Sequence, residues 1–105
     1  MRSLNVDATW KGDVIGSELP VIVKFTGPGC PPCMMLQPIL EELAAEFAGR
    51  VNFVLSDIQH APEMFDTHGV VGVPTLMVFK GGQPVAQRVG AAPKPTIRTW
   101  IEERL

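Results

Sequence analysis

The sequence predicts an α/β fold with a central mixed β-sheet of about five strands, flanked by about four helices. Short β-branched runs alternate with stretches of helical periodicity along most of the chain. Near its end, two β-rich runs are joined by a glycine pair, which indicates an antiparallel hairpin. Parallel crossovers followed by a hairpin produce a mixed sheet with helices on both faces.

The first predicted elements precede the two cysteines of the chain. We expect a strand at residues 4–6 and a weak helix at residues 7–16. Residues 20–26 form a β-branched and aromatic run, which predicts a buried strand that ends at the turn of residues 27–29.

The rest of the chain continues this alternation. Apolar residues at helical spacing predict an amphipathic helix from the cysteines to Gly49, bent but not broken at Pro38. Residues 51–55 predict a second buried strand, and residues 61–68 predict a short helix. The remaining predicted elements are strands at residues 73–80 and 84–89, joined by Gly81 and Gly82, and a final helix that begins near Pro95.

Length and composition limit what this chain can be. Its 105 residues suffice for a single domain with one core, and we expect residues 1–105 to form it. The net charge is −2 and the nine Lys and Arg residues are scattered, which argues against nucleic acid or a membrane as a partner. The first 19 residues lack the apolar core of a signal peptide. We therefore expect a cytoplasmic protein, and we expect a monomer.

Cys30 and Cys33 lie where the predicted strand turns into the predicted helix, and this context indicates a redox motif. Unpaired N–H groups and the helix dipole favour a thiolate at a helix N-terminus, so Cys30 is the candidate nucleophile and is expected to be exposed. Cys33 precedes Leu36 by three residues and shares its inward face. It is the candidate resolving thiol, and the expected redox centre is a Cys30–Cys33 disulfide.

Two other interpretations of the cysteine pair stay open. A zinc site would need two further ligands, for which the chain offers His60 and His68 at an unusually long spacing, and we expect no metal. The pair could also be two buried cysteines without chemistry. A bond across two residues closes too short a loop to stabilise the fold much. Because the chain has no glycine-rich dinucleotide fingerprint, we expect no bound cofactor and electrons supplied by a partner.

Five segments match one known family in order and spacing. They are Val-Ile-Val-Lys-Phe at 21–25, Cys-Pro-Pro-Cys at 30–33, Pro-Ile-Leu at 38–40, Gly-Val-Pro-Thr at 72–75 and Val-Gly-Ala at 89–91. On these segments the chain resembles the thioredoxin family over nearly its full length. The resemblance implies a thioredoxin fold and a protein-disulfide reductase. It also implies disulfide-containing proteins as substrates and a reductase that carries electrons from a nicotinamide cofactor.

The resemblance also implies where substrates bind. Pro74 would have a cis peptide bond and face the cysteines, with Val73 offering backbone groups to a substrate strand. From the residues alone, Pro74 could be an ordinary strand-entry proline, because few X–Pro bonds are cis. Gly90 and Ala91 would complete a shallow apolar groove. The candidate substrate-binding residues are Gly29, Pro31, Val73, Pro74, Gly90 and Ala91.

The chain departs from the family around the cysteines. The family commonly has Gly-Pro between them, whereas two prolines here remove N–H groups, so those of Cys33 and Met34 are expected to hold the Cys30 thiolate. Gly29 and Thr26 stand where the family usually has aromatic side chains. The two tryptophans of the chain, Trp10 and Trp100, do not match those positions and are expected in the core.

Lys24 is the sharpest departure, because the family has at this position a buried Asp that assists proton transfer at the resolving cysteine. Leu55 stands where that Asp usually has a Lys partner. A charged Lys24 would favour a Cys33 thiolate, and a desolvated one would have a lowered pKa and could accept a proton. In a third interpretation, its stem follows apolar surface and its amine reaches water.

Other residues near the motif leave further alternatives. Met34 and Met35 could form an adaptable substrate surface or fill gaps in the core. His68 fits a favourable charge at a helix C-terminus rather than a catalyst. The leading function is protein-disulfide reduction. The alternatives are a binding or scaffold module with secondary redox activity, and an oxidase- or isomerase-leaning variant.

Overall fold

The computed structural model describes residues 2–3 and 9–105, so the strand predicted at residues 4–6 lies outside the described residues. Within these described residues, five strands form the sheet: β1 (Arg2–Ser3), β2 (Val21–Thr26), β3 (Asn52–Asp57), β4 (Thr75–Lys80) and β5 (Gln83–Val89). The helices are α1 (Pro31–Glu46), α2 (Pro62–Thr67) and α3 (Lys94–Glu102), together with a short π-helix at Lys11–Ile15.

The strands form a mixed sheet in the order β1-β3-β2-β4-β5. β3 pairs in parallel with both β1 and β2, whereas β4 pairs antiparallel with β2 and β5. A right-handed crossover helix connects parallel strands in most α/β proteins, and α1 makes that connection between β2 and β3. The α/β class and the mixed sheet predicted from the sequence are confirmed.

Two clusters of buried side chains cover the two faces of the sheet. On one face, α1 and α3 pack through residues such as Leu36, Leu40 and Trp100. On the other face, the π-helix and α2 pack through Trp10 and Phe65. Both tryptophans are buried, as predicted. The helices therefore lie on both sides of the sheet.

β2 lies at the centre of this arrangement, and all six of its residues are buried. Side chains of a strand alternate between the faces. Ile22 belongs to the cluster on the α1 side, whereas Val23 and Phe25 belong to the cluster on the other side. Lys24 therefore points toward α1, into a layer that is otherwise apolar.

Several element boundaries differ from the predicted ones by a few residues. The helix α1 runs without a break through Pro38 but ends at Glu46, and the chain then turns through Gly49, whose φ is +82°. β4 begins at Thr75 rather than at residue 73, because the chain enters it through a cis Val73–Pro74 peptide bond. Periodicity indicates where an element lies but not the residue at which the backbone leaves it.

The turn between β4 and β5 depends on two glycines in the left-handed region. Gly81 has a φ of +58° and Gly82 a φ of +79°, which are the signs that a two-residue type I′ hairpin requires. A Cβ on Gly82 would lie 2.9 Å from the carbonyl oxygen of Ile15, whereas a Cβ on Gly81 would meet nothing within 4 Å. The hairpin therefore also makes a close backbone contact with the π-helix.

This difference predicts unequal costs for two otherwise identical substitutions. Gly81→Ala should lower the free energy of unfolding by about 1 kcal/mol, through backbone strain alone. Gly82→Ala should lower it by about 2 kcal/mol or more, because the methyl group also collides with backbone. Urea denaturation of both variants measures the two costs. Equal values would show that the π-helix moves aside freely.

Candidate active site

The sheet topology brings three separate segments to one edge. Cys30 follows the end of β2, and β4 runs antiparallel to β2 with Thr75 opposite Phe25, so Pro74 lies at the same edge. β5 returns antiparallel to β4, and Gly90 follows its end. The N–H of Gly90 donates to the carbonyl oxygen of Pro74 at 2.9 Å. The cysteines and the predicted substrate-binding segments therefore meet.

Cys30 is the N-cap of α1, and local sequence explains why. A residue before proline avoids helical backbone angles, and Cys30 has a φ of −116° and a ψ of 95°. Pro31 and Pro32 occupy the first helical positions, where an N–H would have no partner inside the helix. The two prolines thus begin the helix immediately after the cysteine.

The donors around the Cys30 sulfur differ in part from the predicted ones. The N–H of Cys33 donates to Cys30 Sγ at 3.2 Å. The N–H of Met34 instead donates to the backbone carbonyl of Cys30 at 3.1 Å, so the expectation that it holds the sulfur was wrong. Met34 is the first residue whose N–H can close a helical turn, and that bond is formed.

Cys30 and Cys33 form a disulfide. Cys33 is 2% exposed and Cys30 is 8% exposed. The expectation of an exposed Cys30 was therefore wrong, although Cys30 is the more accessible of the two. The carbonyl oxygen of Val73 lies 3.7 Å from Cys30 Sγ, so the segment before β4 covers the sulfur. Val73 is 43 positions from Cys30 in the sequence, so the pattern of residues around the cysteines does not predict this contact.

The other predicted substrate-binding residues surround the disulfide. Pro74 is buried and Val73 is partly buried, and the peptide bond between them is cis, as the resemblance implied. Pro31 and Ala91 are exposed. Gly29, which stands where the family usually has an aromatic residue, is exposed with a φ of +62°, a conformation that residues with a side chain rarely adopt.

Lys24 is buried directly behind Cys33. It is 2% exposed, so the interpretation in which its amine reaches water was wrong. Its Nζ donates to the carbonyl oxygen of Cys33 at 2.8 Å and to Gln37 Oε1 at 2.7 Å. Leu55 is its neighbour on β3, which confirms that no charged partner stands at that position. Burial lowers the pKa of Lys24, and the negative charge of Glu41 opposes this effect.

The partners of Lys24 were not predicted from the sequence. Gln37 Nε2 donates to Glu41 Oε1 at 2.8 Å, so a chain of polar groups runs from Lys24 to the exposed Glu41. One signal could have found it. Gln37 follows Cys33 by four residues and Glu41 follows Gln37 by four, so the three share one side of α1.

Exposed apolar side chains lie on the segments that carry and cover the disulfide and at the end of β5, and we call them the apolar rim: Met34, Met35, Val71 and Val89. Met34 and Met35 are 72% and 68% exposed, so the interpretation that they fill core gaps was wrong. Val71 is 99% exposed, and Val89 packs near Gly72 at the start of the covering segment. Beside the rim, an apolar pocket is lined by Met35, Ile39, Ala91, Ala92 and Pro93.

His68 lies in the aromatic cluster on the face of the sheet opposite α1. His68 packs between Trp10 and Phe79, with ring centroids 5.0 and 5.4 Å away, and its Nδ1 is 2.9 Å from the carbonyl oxygen of Met64. It caps the C-terminal end of α2, on the face of the sheet opposite α1. Among residues 2–3 and 9–105, no group of three or more acidic, Cys or His residues could hold a metal.

Comparison with known proteins identifies the family. The thioredoxin family model matches residues 3–103. The chain belongs to the thioredoxin family. It is 42% identical over 99 residues to a thioredoxin of Synechocystis sp., in an alignment covering 94% of this chain and 92% of that protein. It is 41% identical to a thioredoxin of Haemophilus influenzae, with the same two coverages.

Family membership and the disulfide together establish the reaction class. This thioredoxin-family protein is a thiol-disulfide oxidoreductase that reduces protein disulfides, and its redox centre is its own disulfide. Thioredoxins receive their electrons from a reductase. Another relative, the chloroplastic M-type thioredoxin of Zea mays, is 36% identical over 92% of this chain and 58% of its own length. Within the described residues, no helix is long and apolar enough to cross a membrane.

The burial of Lys24 predicts a pH-dependent cost to stability. The pKa of Lys24 is lower in the folded chain than in the unfolded chain. Between the folded pKa and the ordinary lysine value of 10.5, the unfolded chain therefore holds more protons than the folded chain, and stability rises with pH. The parent should therefore gain stability through this window relative to Lys24→Met. Urea denaturation of the two oxidised proteins at neutral and alkaline pH measures the difference. A difference that stays constant with pH would contradict a lowered pKa.

Proposed function

We propose that Cys30 attacks the substrate disulfide and that Cys33 resolves the product. The Cys30 thiolate forms a bond to one substrate sulfur, the substrate S–S bond breaks, and the departing sulfur takes up a proton. The Cys33 thiolate then attacks Cys30 Sγ, which closes the Cys30–Cys33 disulfide and releases the second substrate thiol. Two electrons and two protons pass to the substrate, and a reductase returns the dithiol.

The position of Cys30 at the helix N-cap carries this assignment. There the positive end of the helix dipole and the N–H of Cys33, 3.2 Å from its sulfur, both stabilise a thiolate. Cys30 is also the more accessible sulfur, so an incoming disulfide reaches it first. Cys33 lies behind it in the same turn, where an intramolecular second attack needs little motion.

The substrate segment is proposed to lie along the edge where β2, β4 and β5 meet. The backbone of Val73 faces the Cys30 sulfur, and an extended peptide placed beside it would bring its own sulfur to the same point. Pro74, Gly90 and Ala91 would support that peptide, with Gly29 and Pro31 at its other side. A monomer in the cytoplasm, formed as one domain by residues 1–105, is the proposed working form.

The apolar rim suggests which disulfides are preferred. A disulfide flanked by apolar residues would cover Met34, Met35 and Val71 on binding, and burial of apolar area is favourable. Methionine side chains adapt their shape to different partners, which suits a surface that must accept many proteins. The proposed substrates are therefore polypeptides with an extended, apolar segment around the disulfide.

The roles of the cysteines predict different failures for two serine variants. Cys30→Ser should reduce insulin in the presence of dithiothreitol no faster than dithiothreitol alone, because the nucleophile is absent. Cys33→Ser should instead accumulate a mixed disulfide between Cys30 and the substrate, because resolution is blocked. Turbidity measures the first result and mass spectrometry the second.

Each outcome of these measurements has a meaning. Equal rates for the parent and Cys30→Ser would overturn the catalytic assignment and favour a binding module. A mixed disulfide that forms through Cys33 in the Cys30→Ser variant would reverse the two roles.

The proposed substrate surface predicts a binding defect without a chemical one. Met35→Glu should raise the KM for insulin by about tenfold while kcat changes little, because a charge would stand where apolar substrate is buried. Val85→Glu is the matched control, since Val85 is 50% exposed on β5 outside the rim. Steady-state kinetics of both variants decides the question. Equal KM values for the two would remove Met35 from the substrate surface.

A further inference from the structure

We propose that Lys24 is a positioning residue that keeps a buried positive charge beside Cys33 and thereby stabilises the reduced form of the Cys30–Cys33 pair. This inference rests on the proposed function and specifies the direction in which it works. Its disulfide would therefore have a higher reduction potential than the same disulfide without the Lys24 charge. Three observations carry the argument.

The first observation is the location of the amine. Strand alternation turns Lys24 toward α1, and its Nζ ends 2.8 Å from the backbone oxygen of Cys33. The side chain is almost completely buried, so little water screens its charge. A thiolate on Cys33 would therefore form on the residue whose backbone oxygen accepts from this cation, in a poorly polarisable environment.

The second observation is the chemistry of its partners. Both hydrogen bonds of Nζ go to carbonyl oxygens, those of Cys33 and of the Gln37 side chain. An ammonium group has three donors and no acceptor, so both acceptors suit it, although a neutral amine could also donate to both. The negative charge of Glu41, at the other end of the Gln37 amide, separates the two forms because it stabilises the ammonium. Of the two roles that the sequence left for a buried Lys24, this arrangement favours a charge that attracts a thiolate over a base that takes its proton.

The third observation is how Gln37 is oriented. Its Nε2 donates to the Glu41 carboxylate at 2.8 Å, which leaves its Oε1 directed at Lys24. If the Gln37 amide were reversed, its NH2 group would face the Lys24 ammonium and its oxygen would face the Glu41 carboxylate. Both hydrogen bonds would then be lost. Glu41 therefore fixes the amide from the outside, and its negative charge supports the ammonium through that amide. Gln37 is in turn the residue that holds the amine near Cys33.

The effect on the redox couple follows from charge balance. The disulfide carries no charge, whereas a thiolate on either cysteine of the reduced pair carries a negative charge. A nearby cation thus stabilises the reduced form alone, and a dithiol that is stabilised makes its disulfide a stronger oxidant. Removing the charge should shift the equilibrium constant with glutathione by about tenfold toward the disulfide, or about 30 mV for a two-electron couple.

The experiment compares the parent with Lys24→Met, Lys24→Arg and Lys80→Met. Lys80→Met is the matched control, because it removes one exposed lysine at the opposite end of β4 from the cysteines. Each protein is equilibrated with mixtures of reduced and oxidised glutathione, and the thiolate is titrated by its ultraviolet absorbance. The pH at which the thiolate forms is a readout that loss of packing alone would not move in a set direction.

The expected result is a lower reduction potential and a higher thiolate pKa in Lys24→Met, with the parent values kept in Lys80→Met. Lys24→Arg keeps the charge and should stay closer to the parent than Lys24→Met. Equal potentials in the parent and both Lys24 variants would overturn the inference while insulin reduction stays intact. Should Lys24→Met fail to fold, Lys24→Gln provides the neutral comparison. Failure of the proposed function would appear separately, as insulin reduction that does not need Cys30.

Discussion

The pairing of β2 with a parallel neighbour on one side and an antiparallel neighbour on the other is the constraint on which the site depends. Because α1 starts where β2 ends, this strand places Cys30 at the edge of the sheet. Because β4 runs the other way, the same edge receives Val73 and Pro74. A strand buried in full, as β2 is, has little freedom to shift its register. The core therefore sets the geometry of the chemistry.

The start of α1 shows how local sequence and tertiary packing divide the work. Pro31 disfavours helical backbone angles at Cys30, and the fixed φ of both prolines suits the first helical turn, which makes Cys30 an N-cap. The prolines also remove two N–H groups, so Cys33 supplies the donor that reaches the Cys30 sulfur. The cover over that sulfur, however, comes from Val73, which is 43 residues away in sequence and reaches the same edge only because β4 pairs with β2.

Burial of Lys24 beside the redox centre costs the fold the hydration of a charged group. A lysine in an apolar layer loses hydration, and carbonyl oxygens from Cys33 and Gln37 replace only part of it. Buried charges that persist in this way are common where a titration or a redox step needs a fixed field. The residues paired with Lys24 on the neighbouring strands are Leu55 and Leu76, which are apolar. The hydrogen-bond acceptors for its amine therefore come from α1 rather than from the sheet.

The sequence by itself determined the class of the fold, the hairpin, the cysteine pair with its context and the thioredoxin family, because these depend on local periodicity, turn residues and short motifs. It also placed Lys24 near Cys33. Only the tertiary structure decided that Val73 covers Cys30 and that Lys24 is buried, with Gln37 as a hydrogen-bond partner. Burial and hydrogen-bond partners depend on residues brought together from distant parts of the chain, and no local pattern specifies them.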